Sequence, residues 1–272
     1  RSEITEINGH LKDFVSKINS NIKKSKLKAE VFIGGSFAKK TIMKSGEYDV
    51  DVFVRFEKRV SQAHSFPSKN RGKEKQDISD MTEKLLEGFK KTRIHGSRDY
   101  FKISLNAKSS PKIIFEIVPV VKIKKPKDAE NITDLSYFHI NYIRKKLKSE
   151  KILDEVIVAK AFCHAQDCYG AESYIKGFSG YGLELLIQHY GSFMKFLREM
   201  SKWRIGGKIV IDAGKHYKNR SQILIDLNSA KLASPIVVID PTFKERNALA
   251  ALSNETFKKF SISAREFLKK PS

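Results

Sequence analysis

An alternating segment at residues 47–54 constrains the fold of this chain more than any other feature. Side chains of a strand alternate between its two faces, so Asp49 and Asp51 share one face while the valines at 50, 52 and 54 share the other. The two carboxylates then lie about 7 Å apart along the strand, at roughly 3.3 Å per residue. Neighbouring anions repel unless a cation lies between them, and Mg²⁺ takes oxygen ligands of this kind. The pattern predicts a metal site; the alternative is a polar face that only meets water.

A third acid interrupts an apolar run further along the chain. Residues 112–123 predict a strand, and Glu116 lies within its apolar stretch, where a buried and unpaired carboxylate costs several kcal/mol. Glu116 therefore needs a partner, which is either a salt bridge to Lys or Arg or a metal shared with Asp49 and Asp51. The shared metal is favoured because this strand is expected to belong to the same small sheet.

A glycine-rich turn precedes the aspartates. Residues 28–33 predict a short strand that runs into Gly34, Gly35 and Ser36. Glycine permits positive φ, and the exposed amides of such a turn can face an anion. If Ser36 opens a helix, the dipole at the start of that helix adds to the attraction for phosphate. The turn is therefore expected to bind phosphate.

The charge of the chain points to a polyanionic partner. Lys and Arg number 52 against 31 Asp and Glu, which gives a formal net charge of +21. A single basic run is usually a solvated face, but a large surplus gathered into several runs favours nucleic acid. The basic runs lie at residues 23–28, 122–127, 144–148 and 215–220.

Two further features bear on the cellular setting. The sequence has no stretch of about 18 apolar residues, so no membrane span is predicted. Cys163 and Cys168 lack the four closely spaced ligands of a zinc site and are expected to be buried, reduced thiols, which fits a cytosolic location. Nothing in the sequence indicates an oligomeric state.

The remaining patterns predict an α+β chain in three parts, 1–127, 128–206 and 207–272. Hydrophobic spacing and turn residues predict the other elements. Helices are expected at 7–22, 78–89, 137–147, 154–166, 180–190, 192–203 and from the N-cap Ser253 to Lys269, strands at 100–105, 208–211, 222–227 and 236–239, and loops at 57–76 and 106–111.

The glycine-serine turn, the Asp-x-Asp strand and the third acid resemble the nucleotidyltransferase fold of the DNA polymerase β superfamily. Downstream segments resemble the central domain of archaeal, class I CCA-adding tRNA nucleotidyltransferases; they lie at 167–172, 176–181, 184–186, 190–193, 238–241 and 246–253. The resemblance implies a polymerase β-like head with a small mixed sheet, then a helical central domain with a small C-terminal β/α unit.

The resemblance also implies roles for individual residues. Asp49, Asp51 and Glu116 match the carboxylates that bind Mg²⁺, the third being more often Asp in the family. Gly35 and Ser36 match a phosphate-contacting turn, and Lys39 stands where the family usually has Arg, so bidentate phosphate contact is lost.

Four further residues match nucleotide-binding positions. His139 matches a histidine near the phosphates, Lys160 and Tyr169 match residues that bind the triphosphate and sugar, and Arg246 matches an arginine associated with base selection. Each has a structural alternative. His139 would be a surface residue at a helix start, Lys160 a solvated cation, Tyr169 a core residue and Arg246 part of a surface salt bridge.

The function implied by the resemblance is template-independent addition of CCA to tRNA 3′ ends from CTP and ATP. Three alternatives remain open: a terminal transferase on other RNA, a 2′-5′ oligoadenylate synthetase relative, and an RNA-binding module without activity. The chain ends around where the family's C-terminal tail would begin. Such a protein is expected to recognise less of the tRNA, to borrow a partner chain, or to use its basic surface.

Overall fold

The computed structural model describes residues 2–44, 46–58, 77–105 and 112–271. The chain divides into two compact units, Arg1–Tyr137 and Phe138–Ser272. The three-part division at 127 and 206 stays a prediction. The predicted turn at 106–111 and most of the predicted loop at 57–76 lie outside the described residues, although Glu57 still belongs to a strand.

The first unit is built on a five-stranded mixed sheet. The strands are ordered β1-β2-β5-β4-β3; β2 and β5 run parallel and the other neighbours antiparallel. In chain order its elements are α1 (Ser2–Ser25), β1 (Ala29–Ile33), α2 (Gly35–Ala38), β2 (Glu47–Glu57), α3 (Ile78–Leu85), β3 (Thr92–Ile94), β4 (Tyr100–Leu105) and β5 (Lys112–Lys122).

Helix α1 covers one face of this sheet. Its apolar residues recur at three- and four-residue spacing, which gives a helix one buried stripe. The ring of Phe14 in that stripe stacks on Phe115 of β5, with ring centroids 4.6 Å apart. Val50 of β2 pairs with Phe115 in the parallel register and is fully buried. The valines of β2 thus face α1, and the aspartates between them face the other way.

A buried carboxylate fixes the segment that follows β5. The Oδ1 atom of Asp134 accepts a hydrogen bond from the backbone N–H of Val121 at 2.8 Å, and Oδ2 accepts one from Asn131 at 3.0 Å. Asp134 also forms an ion pair with Arg98. Removing one partner of a buried, hydrogen-bonded ion pair is strongly destabilising, so Asp134 is a structural residue of the first unit.

The second unit combines helices with a small sheet of order β6-β7-β8, in which β6 and β7 are parallel. Its elements are α4 (Ser136–Lys146, which begins in the first unit), α5 (Glu150–Ala165), α6 (Gly180–Tyr190), α7 (Phe193–Ser201), β6 (Ile209–Asp212), α8 (Arg220–Asp226), α9 (Ser229–Leu232), β7 (Ile236–Asp240), β8 (Phe243–Asn247) and α10 (Asn254–Lys269).

Local signals explain where several of these helices begin and end. Ser179 accepts a hydrogen bond from the N–H of Gly182 at the start of α6, and Ser253 accepts one from Thr256 at the start of α10, as predicted. Gly191 ends α6 in the left-handed conformation with φ 79°. The interior of the unit is aromatic: Phe178 and Phe260 pack with ring centroids 4.8 Å apart.

The sequence pattern was wrong in one place and missed several short elements. Residues 222–227 were predicted as a strand, but α8 occupies Arg220–Asp226 with Asn219 as its N-cap. Ile223 and Leu227, one helical turn apart, are buried, while Ile225 is 80% exposed. Strands β3 and β8 and the short helix α9 were missed.

Two other expectations concern burial and membranes. Cys163 and Cys168 are buried and free, as predicted. Burial raises the pKa of both thiols, that of Cys168 to about 11. Among the helices of the described residues, none is long and apolar enough to cross a membrane.

Candidate active site

The register of β2 and β5 brings acids together on the sheet face opposite α1. Asp51 lies directly across from Glu116 in the parallel pairing, and Asp49 precedes Asp51 on the same face of β2. Neighbouring strands lie about 4.7–4.9 Å apart, so the three carboxylates share one small area of the sheet.

Glu116 differs from its prediction in one respect. Its side chain was expected to be buried, but it is 23% exposed, and its Oε1 atom lies 2.7 Å from the Nζ atom of Lys102. Lys102 lies opposite Glu116 in the antiparallel pairing of β4 and β5. The salt bridge that the sequence left open is therefore present, and the ammonium group supplies one positive charge beside the acids.

The ammonium group of Lys102 does not offset the burial and mutual repulsion of the acids, as the raised pKa values of the two aspartates show. Burial, followed by the negative charge of Glu116, raises the pKa of Asp51 to about 6, against an ordinary value of 3.8, although Lys39 acts to lower it. Asp49 lies closer to solvent; partial desolvation and the charge of Glu116 raise its pKa as well. A second cation near these oxygens would relieve both effects.

The donor set fits a divalent metal ion by its chemistry. Carboxylate oxygens are the ligands of Mg²⁺, and the raised pKa of Asp51 shows that the site favours added positive charge, whether as a proton or as a cation. Within the described ranges, no group of three His, Cys, Asp or Glu side chains is arranged closely enough to hold a metal ion. The fit therefore rests on the donor set and its register.

The glycine turn lies against the aspartates. The backbone N–H of Gly34 donates to the carbonyl oxygen of Asp51 at 2.9 Å. Gly35 has φ +58°, and a Cβ atom added there would fall far inside the van der Waals contact of the Asp51 carboxylate. The position therefore requires glycine both for its conformation and for the close approach. Ser36 follows within the single turn of α2, and Lys39 caps the end of that turn.

In the second unit, Lys160 and Tyr169 lie together at the start of α6. A Cβ atom added at Gly180 would lie 3.0 Å from the Oη atom of Tyr169 and 3.7 Å from the Nζ atom of Lys160. Lys160 is buried and donates to Oε1 of buried Glu184 at 3.0 Å. The alternative of Lys160 as a solvated cation is wrong, and Tyr169 packs partly buried against the core.

His139 and Arg246 meet at a different buried acid. The Nε2 atom of His139 and the Nη1 atom of Arg246 each lie 2.8 Å from Oδ2 of Asp240. The His139 ring also stacks on Tyr181, with centroids 4.1 Å apart. His139 is therefore held by a buried acid at the start of α4, although part of its side chain is exposed. Arg246 forms the salt bridge that its alternative named, to a buried partner.

Three residues of these networks had no predicted role: Tyr181, Glu184 and Asp240. A signal was present for the two acids, because each interrupts an apolar run, as Glu116 does. Glu184 lies among leucines and an isoleucine in α6, and Asp240 ends the buried strand β7. Tyr181 carries no such signal, since an aromatic residue on a helix is usually core.

The fold and the arrangement of the three acids agree with the nucleotidyltransferase resemblance of the sequence. The family described as the nucleotidyltransferase domain matches residues 15–154, and the family described as the second domain of tRNA nucleotidyltransferase matches residues 154–272. The chain belongs to the nucleotidyltransferase family. The predicted family resemblance is confirmed.

Curated relatives extend this similarity along most of the chain. A CCA-adding enzyme of Nanoarchaeum equitans is 37% identical over 230 residues, which are 84% of this chain and 52% of that protein. The CCA-adding enzyme of Methanocaldococcus jannaschii is 35% identical over 253 residues, which are 89% of this chain and 50% of that protein. The chain thus spans about half the length of these relatives.

Solved structures share the fold at low sequence identity. The Cid1 poly(U) polymerase in complex with its short product ApU superposes with a TM-score of 0.68 at 13% identity, covering 100% of this chain and 90% of that chain. A cytoplasmic RNA terminal U-transferase superposes with a TM-score of 0.64 at 13% identity, again over 100% of this chain and 90% of that chain. These likenesses confirm the predicted α+β, polymerase β-like fold.

Proposed function

We propose that this chain is a template-independent RNA nucleotidyltransferase that adds C, C and A to the 3′ end of tRNA. CTP and ATP are the donors, and pyrophosphate leaves. The observation that carries the proposal is the register that places Glu116 opposite Asp51, on the sheet face that also holds Asp49. The choice of tRNA as the acceptor is supported by the similarity to CCA-adding enzymes.

In the first unit, Asp49, Asp51 and Glu116 are proposed to hold Mg²⁺. When bound, Mg²⁺ supplies Lewis acidity to the attacking hydroxyl and neutralises phosphate charge. The 3′ hydroxyl oxygen of the RNA attacks the α-phosphorus, the bond from that phosphorus to the bridging oxygen breaks, and Glu116 accepts the hydroxyl proton. Gly35, Ser36 and Lys39 are proposed to bind phosphate oxygens.

In the second unit, four residues are proposed to bind the nucleotide. Lys160 and Tyr169 contact the triphosphate and sugar, His139 contacts the phosphates, and Arg246 contributes to base selection. The support for this assignment is that three of the four side chains are held by a buried acid: Lys160 by Glu184, and both His139 and Arg246 by Asp240. Tyr169 is partly buried against the core. Positioning of this kind is what nucleotidyl transfer requires of a protein.

The proposed RNA partner is supported by the charge of +21 and by its clustering. Binding through such clusters weakens steeply as salt increases. A cytoplasmic location is proposed because the buried thiols Cys163 and Cys168 are free.

The test uses tRNA transcripts that end before, within and after CCA. Each transcript is incubated with the purified chain and Mg²⁺, with one labelled nucleotide supplied at a time. We expect CMP addition to transcripts that lack one or both C residues, AMP addition only after both C residues are present, and no addition to complete CCA ends.

Each alternative function gives a different product in this assay. Homopolymer tails on any RNA would indicate a terminal transferase, and linear oligoadenylate made from ATP alone would indicate an oligoadenylate synthetase relative. Salt-sensitive tRNA binding without incorporation of any nucleotide would indicate an RNA-binding module. Any of these results contradicts the proposal.

A substitution in the glycine turn gives a second test of the site. Gly35→Ala places a methyl group against the Asp51 carboxylate and forces an L side chain to adopt φ +58°. We expect nucleotide incorporation to fall about 100-fold, because a displacement of about 1 Å at a reacting centre has costs of that order. The strained conformation should also destabilise the protein by about 1 kcal/mol, measured by denaturant unfolding.

Gly9→Ala is the matched control. Gly9 lies in α1, and a Cβ atom added there meets nothing within 4 Å. This variant should retain incorporation and unfold at a slightly higher denaturant concentration, because alanine favours helix over glycine. Wild-type incorporation by Gly35→Ala would show that the turn does not act at the Asp51 carboxylate.

A further inference from the structure

The buried carboxylate of Asp240 holds a histidine and an arginine side chain with one oxygen. Its Oδ2 atom lies 2.8 Å from Nε2 of His139 and 2.8 Å from Nη1 of Arg246. The side chain of Asp240 is 0% exposed, whereas those of His139 and Arg246 are 12% and 22% exposed. Two residues that reach the surface thus share one buried anchor.

The other oxygen of Asp240 has a separate set of partners. Oδ1 accepts from the Oη–H of Tyr181 at 3.0 Å and from both the N–H and the Oγ1–H of Thr242 at 2.8 Å. These three donors fix the plane of the carboxylate. Because Oδ1 is occupied by structural contacts, Oδ2 alone is directed at the histidine and the arginine.

The charge state of Asp240 determines how His139 is held. Burial on its own would raise the pKa of Asp240, but the hydrogen bond and charge of His139, together with the charge of Arg246, hold that pKa well below its usual range. An ionised carboxylate only accepts hydrogen bonds, so His139 donates through Nε2–H. The stack of His139 on Tyr181 then fixes the ring plane as well.

We propose that Asp240 is a positioning residue that holds His139 and Arg246 in the orientation in which they contact the incoming nucleotide. Since both donate to the same oxygen, binding of the phosphates through His139 is coupled to recognition of the base through Arg246. This inference rests on the proposed function, which gives those two residues their contacts with the nucleotide.

The substitution Asp240→Asn isolates the role of Oδ2. The amide oxygen can replace Oδ1 as the acceptor for Thr242 and Tyr181, but the amide nitrogen cannot accept from His139 or Arg246. We expect the KM for CTP and for ATP to rise about tenfold, with kcat within about twofold of wild type, because the interaction serves binding. A purely structural role would lower the active fraction, and hence kcat, at unchanged KM.

Two controls remove comparable groups without touching Oδ2. Thr242→Val removes one hydroxyl contact to Oδ1. Asp134→Asn removes another buried carboxylate that accepts backbone N–H groups and pairs with an arginine. Both should leave the KM for CTP within about twofold of wild type, and Asp134→Asn should unfold at a lower temperature. A tenfold rise in KM with Asp134→Asn would overturn the proposal, because it would show that the loss of an unrelated buried carboxylate has the same effect.

A double-mutant cycle tests the coupling directly. If Asp240 acts through Arg246, adding Asp240→Asn to Arg246→Gln should raise the KM far less than it does in the wild-type background, whereas multiplicative effects would overturn the proposal. Should Asp240→Asn fail to fold, the cycle of His139→Gln with Arg246→Gln takes its place. Effects of these two substitutions that combine multiplicatively would show that no shared anchor couples them.

Equilibrium dialysis of labelled CTP with Mg²⁺ separates this inference from the proposed function. If the wild-type chain binds CTP but adds nothing to any transcript, the proposed function fails, and the dissociation constants of the same variants still test the role of Asp240. If the chain transfers nucleotides and Asp240→Asn keeps the wild-type KM, only the positioning role fails. If the chain binds no nucleotide, both are overturned.

Discussion

Replacing Asp49 and Asp51 together by asparagine should lower nucleotide incorporation at least about 1000-fold while leaving tRNA binding intact. Asparagine keeps the size and one acceptor oxygen of aspartate but removes the charge on which metal binding and charge stabilisation depend. Incorporation of labelled CMP into a tRNA lacking its 3′ CCA measures the first effect, and salt-dependent filter binding of the same tRNA measures the second. Undiminished incorporation would contradict the assignment of this site.

The matched control on the same strand is Glu57→Gln. The Glu57 carboxylate pairs with Lys122 at 2.7 Å and is 47% exposed. Exposed pairs contribute little to stability, and Glu57 has no proposed metal role, so this variant should incorporate CMP at the wild-type rate. A loss equal to that of the aspartate variant would show that the assay reports general damage to the sheet.

The pH dependence of stability gives the aspartates a second readout. The folded pKa of Asp51, about 6, exceeds its ordinary value of 3.8, so the folded chain binds this proton more tightly than the unfolded chain. Without metal, the contribution of Asp51 to the free energy of unfolding is therefore lost as the pH rises from 3.8 to about 6. Asp49→Asn with Asp51→Asn should weaken this dependence, and added Mg²⁺ should raise the melting temperature of the wild type alone.

The acidic face of the sheet could be predicted because the sequence patterns that specify it lie within single strands. Period-two alternation put Asp49 and Asp51 on one side of a strand, and the structure keeps that arrangement. An acid in an apolar run marked Glu116. Its partner Lys102 could not be identified, since the pairing depends on the register of β4 against β5, which no local pattern determines.

The errors have a related physical origin. Ile223, Ile225 and Leu227 alternate as in a half-buried strand, but the N-cap Asn219 and the burial of only the first and last of them select a helix. Strand β8 was missed because it contains exposed charged residues. In both cases neighbouring elements decide which side chains are buried, and local apolar spacing does not encode that.

The networks of the second unit join residues that are distant in sequence. Lys160 and Glu184 lie on α5 and α6, and Asp240 reaches His139 across 101 positions. The sequence alone shows that Glu184 and Asp240 are unusual, because each interrupts an apolar run, but it does not identify their partners. Family resemblance identified Lys160, His139 and Arg246, and the structure adds the two acids that hold them.

Lys160→Met should destabilise the protein by about 3 kcal/mol and weaken nucleotide binding at least tenfold. Lys160 is 1% exposed, and the substitution removes the ammonium group that pairs with the Glu184 carboxylate. That carboxylate is 0% exposed and is left without its cation. Removing one partner of a buried ion pair costs this much because the remaining charge stays desolvated. Denaturant unfolding measures the stability, and equilibrium dialysis of labelled CTP measures the binding.

The paired variant Lys160→Met with Glu184→Leu separates the loss of stability from the loss of nucleotide binding. A buried ion pair can often be replaced by apolar side chains of similar volume with little loss, so stability should return to within about 1 kcal/mol of wild type. Nucleotide affinity should stay low, because the cation is still missing. Lys259→Met is the matched control: its ion pair with Asp167 has the same 3.0 Å separation but is exposed, so stability and CTP affinity should both be unchanged. Recovery of CTP affinity in the paired variant would show that Lys160 serves the fold alone.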